Sequence, residues 1–262
     1  MSVFSSSVAT SAIVTTLRAA GCVFAEDEAG LLVSTAATPE DLTAMVGRRV
    51  AGEPLEHVLG WAEFCGLRVV VEPGVFVPRP RTGFLIEQAI ELARRVAGPP
   101  VVLDLCCGTG AMGAAVAAGL ERAELHAADL EPAAVRCARR NLPGAHVYEG
   151  DLYDPLPPSL RGRVHLLIAS PPYVPSASVG LLPPEARLHE PRVALDGGDD
   201  GLDVVRRVIA GAPGWLAPGG HLLVETSERQ AGPAAGAMAR AGLTVRVATS
   251  DELDATAVIG TL

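Results

Sequence analysis

The chain has 262 residues, a formal net charge of −9 and 49% hydrophobic residues. That apolar share is enough to bury a sizeable core and excludes a mainly disordered protein, while the acidic balance and the 4% aromatic content argue against a protein that grips a phosphate backbone or stacks bases. All 21 basic residues are arginine, which excludes a lysine Schiff base or a lysine general base.

The first 60 residues read as helices. Val8, Ile13, Val14, Leu17 and Ala20 recur at the spacing of one helical face. Thr38-Pro39-Glu40-Asp41 opens another helix, with Thr38 as N-cap, Pro39 at the first helical position and Asp41 at the capping-box position. Leu42, Met45, Val46 and Val50 form its apolar face, Arg48 and Arg49 fall in its last turn, and Gly52 lies past its end. Residues 61–77 change character: 64–71 followed by 73–77 reads as strand, turn, strand, with the turn at Pro73-Gly74. This hairpin is expected to link a small helical domain (1–60) to the remainder (78–262). A helix is expected from about Thr82 to Val96.

From residue 101 the rhythm is strand and helix in alternation. Short apolar runs at 101–105, 123–130, 145–150, 164–169 and 220–226 are bounded by turn residues, and helical patterns lie at 111–119, 132–140 and 202–212. That order predicts an α/β architecture, a mostly parallel sheet with helices on both faces. At the end, 243–250 and 255–262 are two strands joined by Asp251-Glu252-Leu253-Asp254, a link too short for anything but antiparallel pairing.

Cys22, Cys65, Cys106, Cys107 and Cys137 are odd in number and form no C-x-x-C pair, and the six histidines are scattered. Neither a disulfide framework nor a metal site is expected. The first twenty residues lack a basic n-region and no apolar run reaches about 18 residues, so a soluble cytoplasmic protein is expected. The cluster Arg136, Arg139 and Arg140 has helical spacing and reads as a solvated face.

Val101-Val102-Leu103-Asp104-Leu105-Cys106-Cys107-Gly108-Thr109-Gly110 is a buried strand running into a glycine turn, where the backbone approaches a ligand closely and the next helix offers its N-terminus. Asp129 ends the second strand, placed to accept both hydroxyls of a ribose. Asp151 ends the third, placed to accept from an adenine amino group. Gly108, Gly110 and Gly113 satisfy G-x-G-x-x-G, so a dinucleotide site must be weighed. Three features favour S-adenosylmethionine: Asp104 inside the first strand, facing an α-amino group; the second acid, Asp151; and Ser170-Pro171-Pro172-Tyr173 after the fourth strand. The prolines fix their own backbone angles and carry no N–H, so the local carbonyls act as acceptors without competing donors. Such a cradle suits an N–H-bearing acceptor, whose lone pair it aligns with the activated methyl, and the Tyr173 ring suits the positive charge that develops on nitrogen. Cys106 and Cys107 read as packing thiols.

With these residues in view the sequence resembles the HemK-type (PrmC-type) protein N5-glutamine methyltransferases along nearly its whole length. The resemblance rests on Val77-Pro78-Arg79-Pro80-Arg81-Thr82, the turn from Asp104 to Gly110, Ser170 to Tyr173, Pro184-Glu185-Ala186, the run Ala194-Leu195-Asp196-Gly197-Gly198-Asp199-Asp200-Gly201-Leu202, Leu216-Ala217-Pro218-Gly219-Gly220 and Val224-Glu225. It implies a Rossmann-like class I methyltransferase sheet with a C-terminal antiparallel hairpin and a small N-terminal helical domain that recognises the substrate. It also implies methylation of a glutamine amide in a protein, typically a peptide-chain release factor. The cofactor residues carry over to Asp104, Gly108, Gly110, Asp129 and Asp151, with the flanking Cys106, Thr109, Leu130, Leu152 and Ser170 completing the expected set. The substrate clamp carries over to Ser170, Pro171, Pro172 and Tyr173. Two positions depart from the pattern. Ser170 stands where the family has Asn, and a hydroxyl is shorter and either donates or accepts. Arg81-Thr82-Gly83 stands where the family has an acid, Thr and Glu. The departures leave room for another protein amide or a small peptide-like metabolite as acceptor. Ser-Pro-Pro-Tyr also resembles the tetrapeptide of DNA cytosine-N4 methyltransferases, which the net charge opposes, and a non-catalytic S-adenosylmethionine-binding regulator is a further alternative.

Overall fold

The computed structural model describes residues 3–262, with side chains from Thr10 onward. Val8, expected on the first apolar face, lies outside the residues whose side chains are described. Four helices, α1 (Val3–Ala19), α2 (Ala25–Thr35), α3 (Pro39–Val50) and α4 (Leu55–Leu59), pack around Leu17, Ala29, Leu32, Met45 and Val58. Thr38 caps α3 as its sequence predicts, its hydroxyl accepting from the Asp41 N–H at 3.1 Å, while the Asp41 carboxylate reaches one residue further back to the Ala37 N–H. Val50 departs from the expected apolar face and is 41% exposed. The buried residue of that last turn is Arg49, because Glu28 and Glu185 converge on it.

The hairpin closes earlier than its sequence suggests. Strands β1 (Trp61–Phe64) and β2 (Leu67–Val70) pair antiparallel with Trp61 opposite Val70. The turn is therefore Cys65-Gly66 and not Pro73-Gly74. Both turn residues have positive φ, 49° and 75°, the backbone that a two-residue hairpin requires. Pairing stops at Val70 because its N–H and C=O are both taken by the Asn141 side-chain amide, at 2.8 and 2.9 Å. Residues 73–77 run on as irregular chain.

The rest is one sheet with its helices: α5 (Gly83–Ala93), β3 (Val101–Leu105), α6 (Ala111–Ala118), β4 (Glu124–Asp129), α7 (Pro132–Asn141), β5 (His146–Glu149), β6 (Val164–Ala169), α8 (Pro184–His189), α9 (Asp203–Gly211), β7 (Leu216–Thr226), α10 (Glu228–Arg240), β8 (Thr244–Ser250) and β9 (Ala255–Thr261). The order is β5-β4-β3-β6-β7-β9-β8, parallel except that β9 runs antiparallel to both neighbours. Alternate residues feed opposite faces. Leu103, Leu105, Leu167 and Val224 pack under α9 and α10, whereas Val102, Leu166, Ile168 and Leu223 pack under α5 and α6. Each such apolar side chain, fully buried, contributes roughly 1.5–3 kcal/mol.

Sequence periodicity did not predict α10. Gly232, Pro233 and Gly236 interrupt the pattern, and a capping box, Ser227 with Gln230, opens the helix. The chain order reverses direction between β3 and β6, and the crevice at their carboxyl ends is where an open α/β sheet holds its ligand.

Candidate active site

A cavity of about 800 Å³ opens at the carboxyl ends of β3, β4 and β6. The turn that follows β3, at Cys106, Cys107 and Gly108, lines it. Asp104, on that strand, is fully buried; one carboxylate oxygen accepts from the Gly113 N–H at 2.9 Å, and the other, Oδ1, has no partner. Burial pushes the carboxyl up to about 8, against the pull of the Gly113 N–H, and the nearby Asp129 adds to the rise. Gly113 admits this contact because a Cβ there would stand 3.2 Å from the same carboxylate.

The turn after β3 winds through left-handed backbone at Cys106, Gly108 and Gly110, with φ of 55°, 53° and 77°. It is tied to the end of β4. Asp129 accepts from the Gly108 N–H at 2.8 Å and from the Glu131 N–H at 2.9 Å. Burial raises this carboxyl too, and those N–H groups oppose the rise. Leu130, next along, is a half-exposed apolar side chain on the cavity wall, and Leu152 faces it from a positive-φ turn after β5. Thr109 is buried beneath. Asp151 also has a cationic partner: its Oδ2 is paired with Arg207 at 2.6 Å. The Cys106 thiol lines the cavity and is held protonated by burial, with Asp129 and Asp104 adding to the effect.

β6 delivers Ser170, Pro171, Pro172 and Tyr173 to the opposite wall, so the structure brings all four of these residues to the same cavity as Asp129 and Asp151, while Asp104 stays buried on β3 and does not line it. The Ser170 hydroxyl has no hydrogen-bond partner among the described residues, whereas Tyr173 is fixed at both ends. Its carbonyl accepts from the Gln230 side-chain amide at 2.8 Å, and its hydroxyl accepts from the Arg81 guanidinium. Arg81 in turn donates through Nε to Glu225 at 3.2 Å, and Thr82 donates to the other Glu225 oxygen at 2.6 Å. Burial and the Glu225 charge raise the Tyr173 phenol, so it is neutral at physiological pH.

The 174–201 segment packs over the tetrapeptide. Val174 and Asp196 form a parallel bridge, Val174 N–H donates to Leu195 C=O at 3.0 Å and Gly197 N–H to Val174 C=O at 2.8 Å. A Cβ on Gly197 would fall 2.7 Å from the Pro172 carbonyl oxygen, which explains the glycine at that position, while Gly198 takes a φ of 90°. Arg79 and the Val77 N–H both bond the buried Glu190, and burial still lifts that carboxyl. The Pro-Arg-Pro run is thereby anchored to the covering segment. From the helical bundle, Arg49 reaches Glu28 at 2.7 Å and Glu185 at 2.6 Å. Burial works against its charge, and the two carboxylates outweigh it.

Gln230, Glu225, Glu190 and Arg49 shape the site without having been predicted for it. Gln230 had a local signal, Ser227 followed three residues later by Gln; the others are joined to their partners across 21 to 144 residues of chain.

Comparison with known proteins gives a consistent result. Residues 67–181 match the family model described as methyltransferase small domain. A release factor glutamine methyltransferase of Geobacter sulfurreducens is 41% identical over 225 residues, spanning 82% of this chain and 77% of the relative. A 4-amino-L-phenylalanine/4-methylamino-L-phenylalanine methyltransferase of Streptomyces pristinaespiralis is 40% identical over 193 residues, 71% of this chain and 65% of the relative. Among solved structures, a methyltransferase of Pyrococcus furiosus superposes with a TM-score of 0.55 at 17% identity, over 75% of this chain and 89% of the other, a likeness of fold.

Proposed function

Because the chain belongs to the release factor glutamine methyltransferase family, we propose that it transfers a methyl group from S-adenosylmethionine to the side-chain amide nitrogen (N5) of a protein glutamine, such as one in a peptide-chain release factor. The observation that carries this reading is the proline-locked tetrapeptide, Ser170 to Tyr173, held at both ends of Tyr173 in the same cavity as Asp129 and Asp151.

The donor set suits the cofactor. The unpartnered, buried Asp104 Oδ1 is an acceptor awaiting a donor, and an α-ammonium group supplies one. Asp129 is proposed to accept from the ribose hydroxyls. Leu130 and Leu152 are proposed to flank the adenine, with Asp151 Oδ1 at its amino group. Gly108 and Gly110 let the backbone close on the ligand, and Cys106, Thr109 and Ser170 complete the contact set. When bound, the cofactor supplies a methyl already activated on a sulfonium, and the protein supplies alignment.

The acceptor amide is aligned by the Pro171 carbonyl and the Ser170 hydroxyl, both accepting from its N–H groups. That fixes the nitrogen lone pair toward the methyl carbon. With the cofactor bound, its sulfonium would supply the methyl and leave as S-adenosylhomocysteine, the positive charge would fall on the acceptor nitrogen, and an N–H proton would pass to solvent. The same two oxygens stabilise that charge, and the neutral Tyr173 ring faces it. The covering segment 174–201 excludes water. The helical region, residues 1–60, is the proposed recognition domain for the protein partner, with the hairpin region 61–77 as link and 78–262 as the catalytic domain. Among the described residues no helix is long and apolar enough to cross a membrane, which accords with the proposed cytoplasmic location.

The test is calorimetry with S-adenosylmethionine and, separately, NAD, followed by transfer of labelled methyl to release factors of the same cell. Binding of the first alone, with label on a release-factor glutamine, is the expected result. A second reading, methylation of an amine on a small amino acid, is favoured by Ser170 in place of Asn and by the S. pristinaespiralis relative. Label on a free aminoaryl amino acid, with none on protein, would establish it instead.

A further inference from the structure

One wall of the cavity carries two arginines, and their pairing differs. Arg79 directs Nη2 at both oxygens of Glu190, whose side chain is 1% exposed. Arg81 is held more loosely. Its Nε meets one oxygen of Glu225 at 3.2 Å, one of its Nη2 hydrogens goes to the Tyr173 hydroxyl, and Nη1 makes no hydrogen bond among the described residues. A guanidinium has five N–H donors in a planar fork. Three of those on Arg81 are therefore free, as are the Nε and Nη1 donors of Arg79, but Arg81 is the more loosely paired and the more exposed, 44% against 35%, and its guanidinium carbon lies 5.9 Å from the Tyr173 ring centre. The charge is secure: burial opposes it, but Tyr173 and Glu225 raise the guanidinium further above its ordinary value.

We propose that Arg81 is a specificity-determining residue that receives a carboxylate of the acceptor, so that this site selects acceptors that carry an anionic group besides the nitrogen to be methylated. The inference rests on the N-methyltransferase reading above and deepens it. A planar fork with free parallel N–H donors beside the acceptor cradle is matched in geometry and charge by a carboxylate. Arg81 also borders a smaller hollow of about 250 Å³ beyond Tyr173, but Glu225, Glu228, Asp251 and Asp254 line it and repel an anion. The carboxylate is thereby directed to the main cavity. There Glu185 and Glu190 are already neutralised by Arg49 and Arg79, and the unpaired Glu56 on α4 and Glu131 after β4 are the acids it must outweigh. The carboxylate comes either from the α-carboxyl of a free amino acid or from an acidic residue next to a glutamine in a peptide.

Matched acceptors test this. 4-Amino-L-phenylalanine and L-glutamine are compared with their α-carboxamides, and a peptide with Glu beside its glutamine is compared with the same peptide carrying a neutral residue there. Both kcat/KM and calorimetric affinity for the S-adenosylhomocysteine complex are measured, in wild type, Arg81→Gln and Arg81→Lys, with folding checked by thermal melting. Wild type is expected to favour the carboxylate member of at least one pair by about tenfold, the size of one partly exposed charge-assisted contact, and mainly through KM. Arg81→Gln is expected to bring the ratio to about one and Arg81→Lys to keep part of it. The arm showing the preference identifies the source of the carboxylate. No preference in wild type, in turnover or in binding, overturns the proposal, as does a preference that survives Arg81→Gln. A binding preference with no turnover of any acceptor leaves the Arg81 subsite standing and overturns the functional reading instead.

Discussion

Replacing Asp104 by asparagine separates what its charge does from what its shape does. The carboxyl is fully buried and pushed up to about 8, from about 3.9 for an ordinary Asp. A raised acid binds its proton in the folded state while the unfolded chain has already released it. Stability from this group therefore falls as pH rises between the two values, by about 1.4 kcal/mol per pH unit until the folded value is approached, or about 2 kcal/mol from pH 6 to pH 8. The variant lacks that slope, and the difference between the two urea-denaturation series isolates it from all other titrations. Cofactor binding follows with the opposite sign. An α-ammonium group against Oδ1 keeps the carboxylate ionised, so binding expels the proton and tightens as pH rises. Below the range in which an α-amino group itself deprotonates, about 7.7–8.0, the Kd for S-adenosylmethionine is expected to fall about tenfold per unit, or about thirtyfold from pH 6 to 7.5. Calorimetry on wild type and Asp104→Asn checks this. A Kd in the wild type that is flat across the range, or an equally steep one in the variant, would refute the placement of the ammonium at Asp104.

Asp129→Ala removes the acceptor for two backbone N–H groups and for the proposed ribose hydroxyls; with each charge-assisted bond at about 1.5–3 kcal/mol, its cofactor Kd is expected to rise at least about hundredfold by calorimetry. Tyr173→Phe keeps the ring and releases Arg81, so single-turnover transfer is expected to slow about tenfold with cofactor Kd within about twofold of wild type; the reverse split would make Tyr173 a cofactor residue. Gly197→Ala forces a Cβ against the Pro172 carbonyl and is expected to cut kcat by at least about tenfold through displacement of the tetrapeptide. Arg49→Ala leaves the buried Glu28 unpaired and is expected to cost about 3 kcal/mol in urea denaturation.

What could be read from sequence was what is local. β3 and β6 are legible to the residue because apolar runs bounded by turn residues leave little choice, and Asp129 closes β4 as its run predicts, whereas β5 ends at Glu149, two residues before Asp151. The hairpin was misjudged because Pro73-Gly74 is the louder turn signal, while the actual closure needs left-handed backbone at Cys65, which composition does not reveal. α10 was missed because two glycines and a proline hide its period. Arg81 was visible as a departure from the family pattern but not as a partner of Tyr173 and Glu225, since those contacts cross 92 and 144 residues. Arg49 read as a helix-end cation, and only the folded chain brings Glu185 to it.

That three-way bridge is asymmetric. Glu28 is 11% exposed at its side chain and meets Arg49 through two hydrogen bonds, while Glu185 is 47% exposed and offers one. Water competes for the second arm far more than for the first. Pulled apart, the bridge yields at Glu185, and Arg49 stays charged and paired behind it. The bridge is thus firm on the side of the helical bundle and weak on the side of the covering segment, so removing the Glu185 carboxylate would leave the bundle's own ion pair intact.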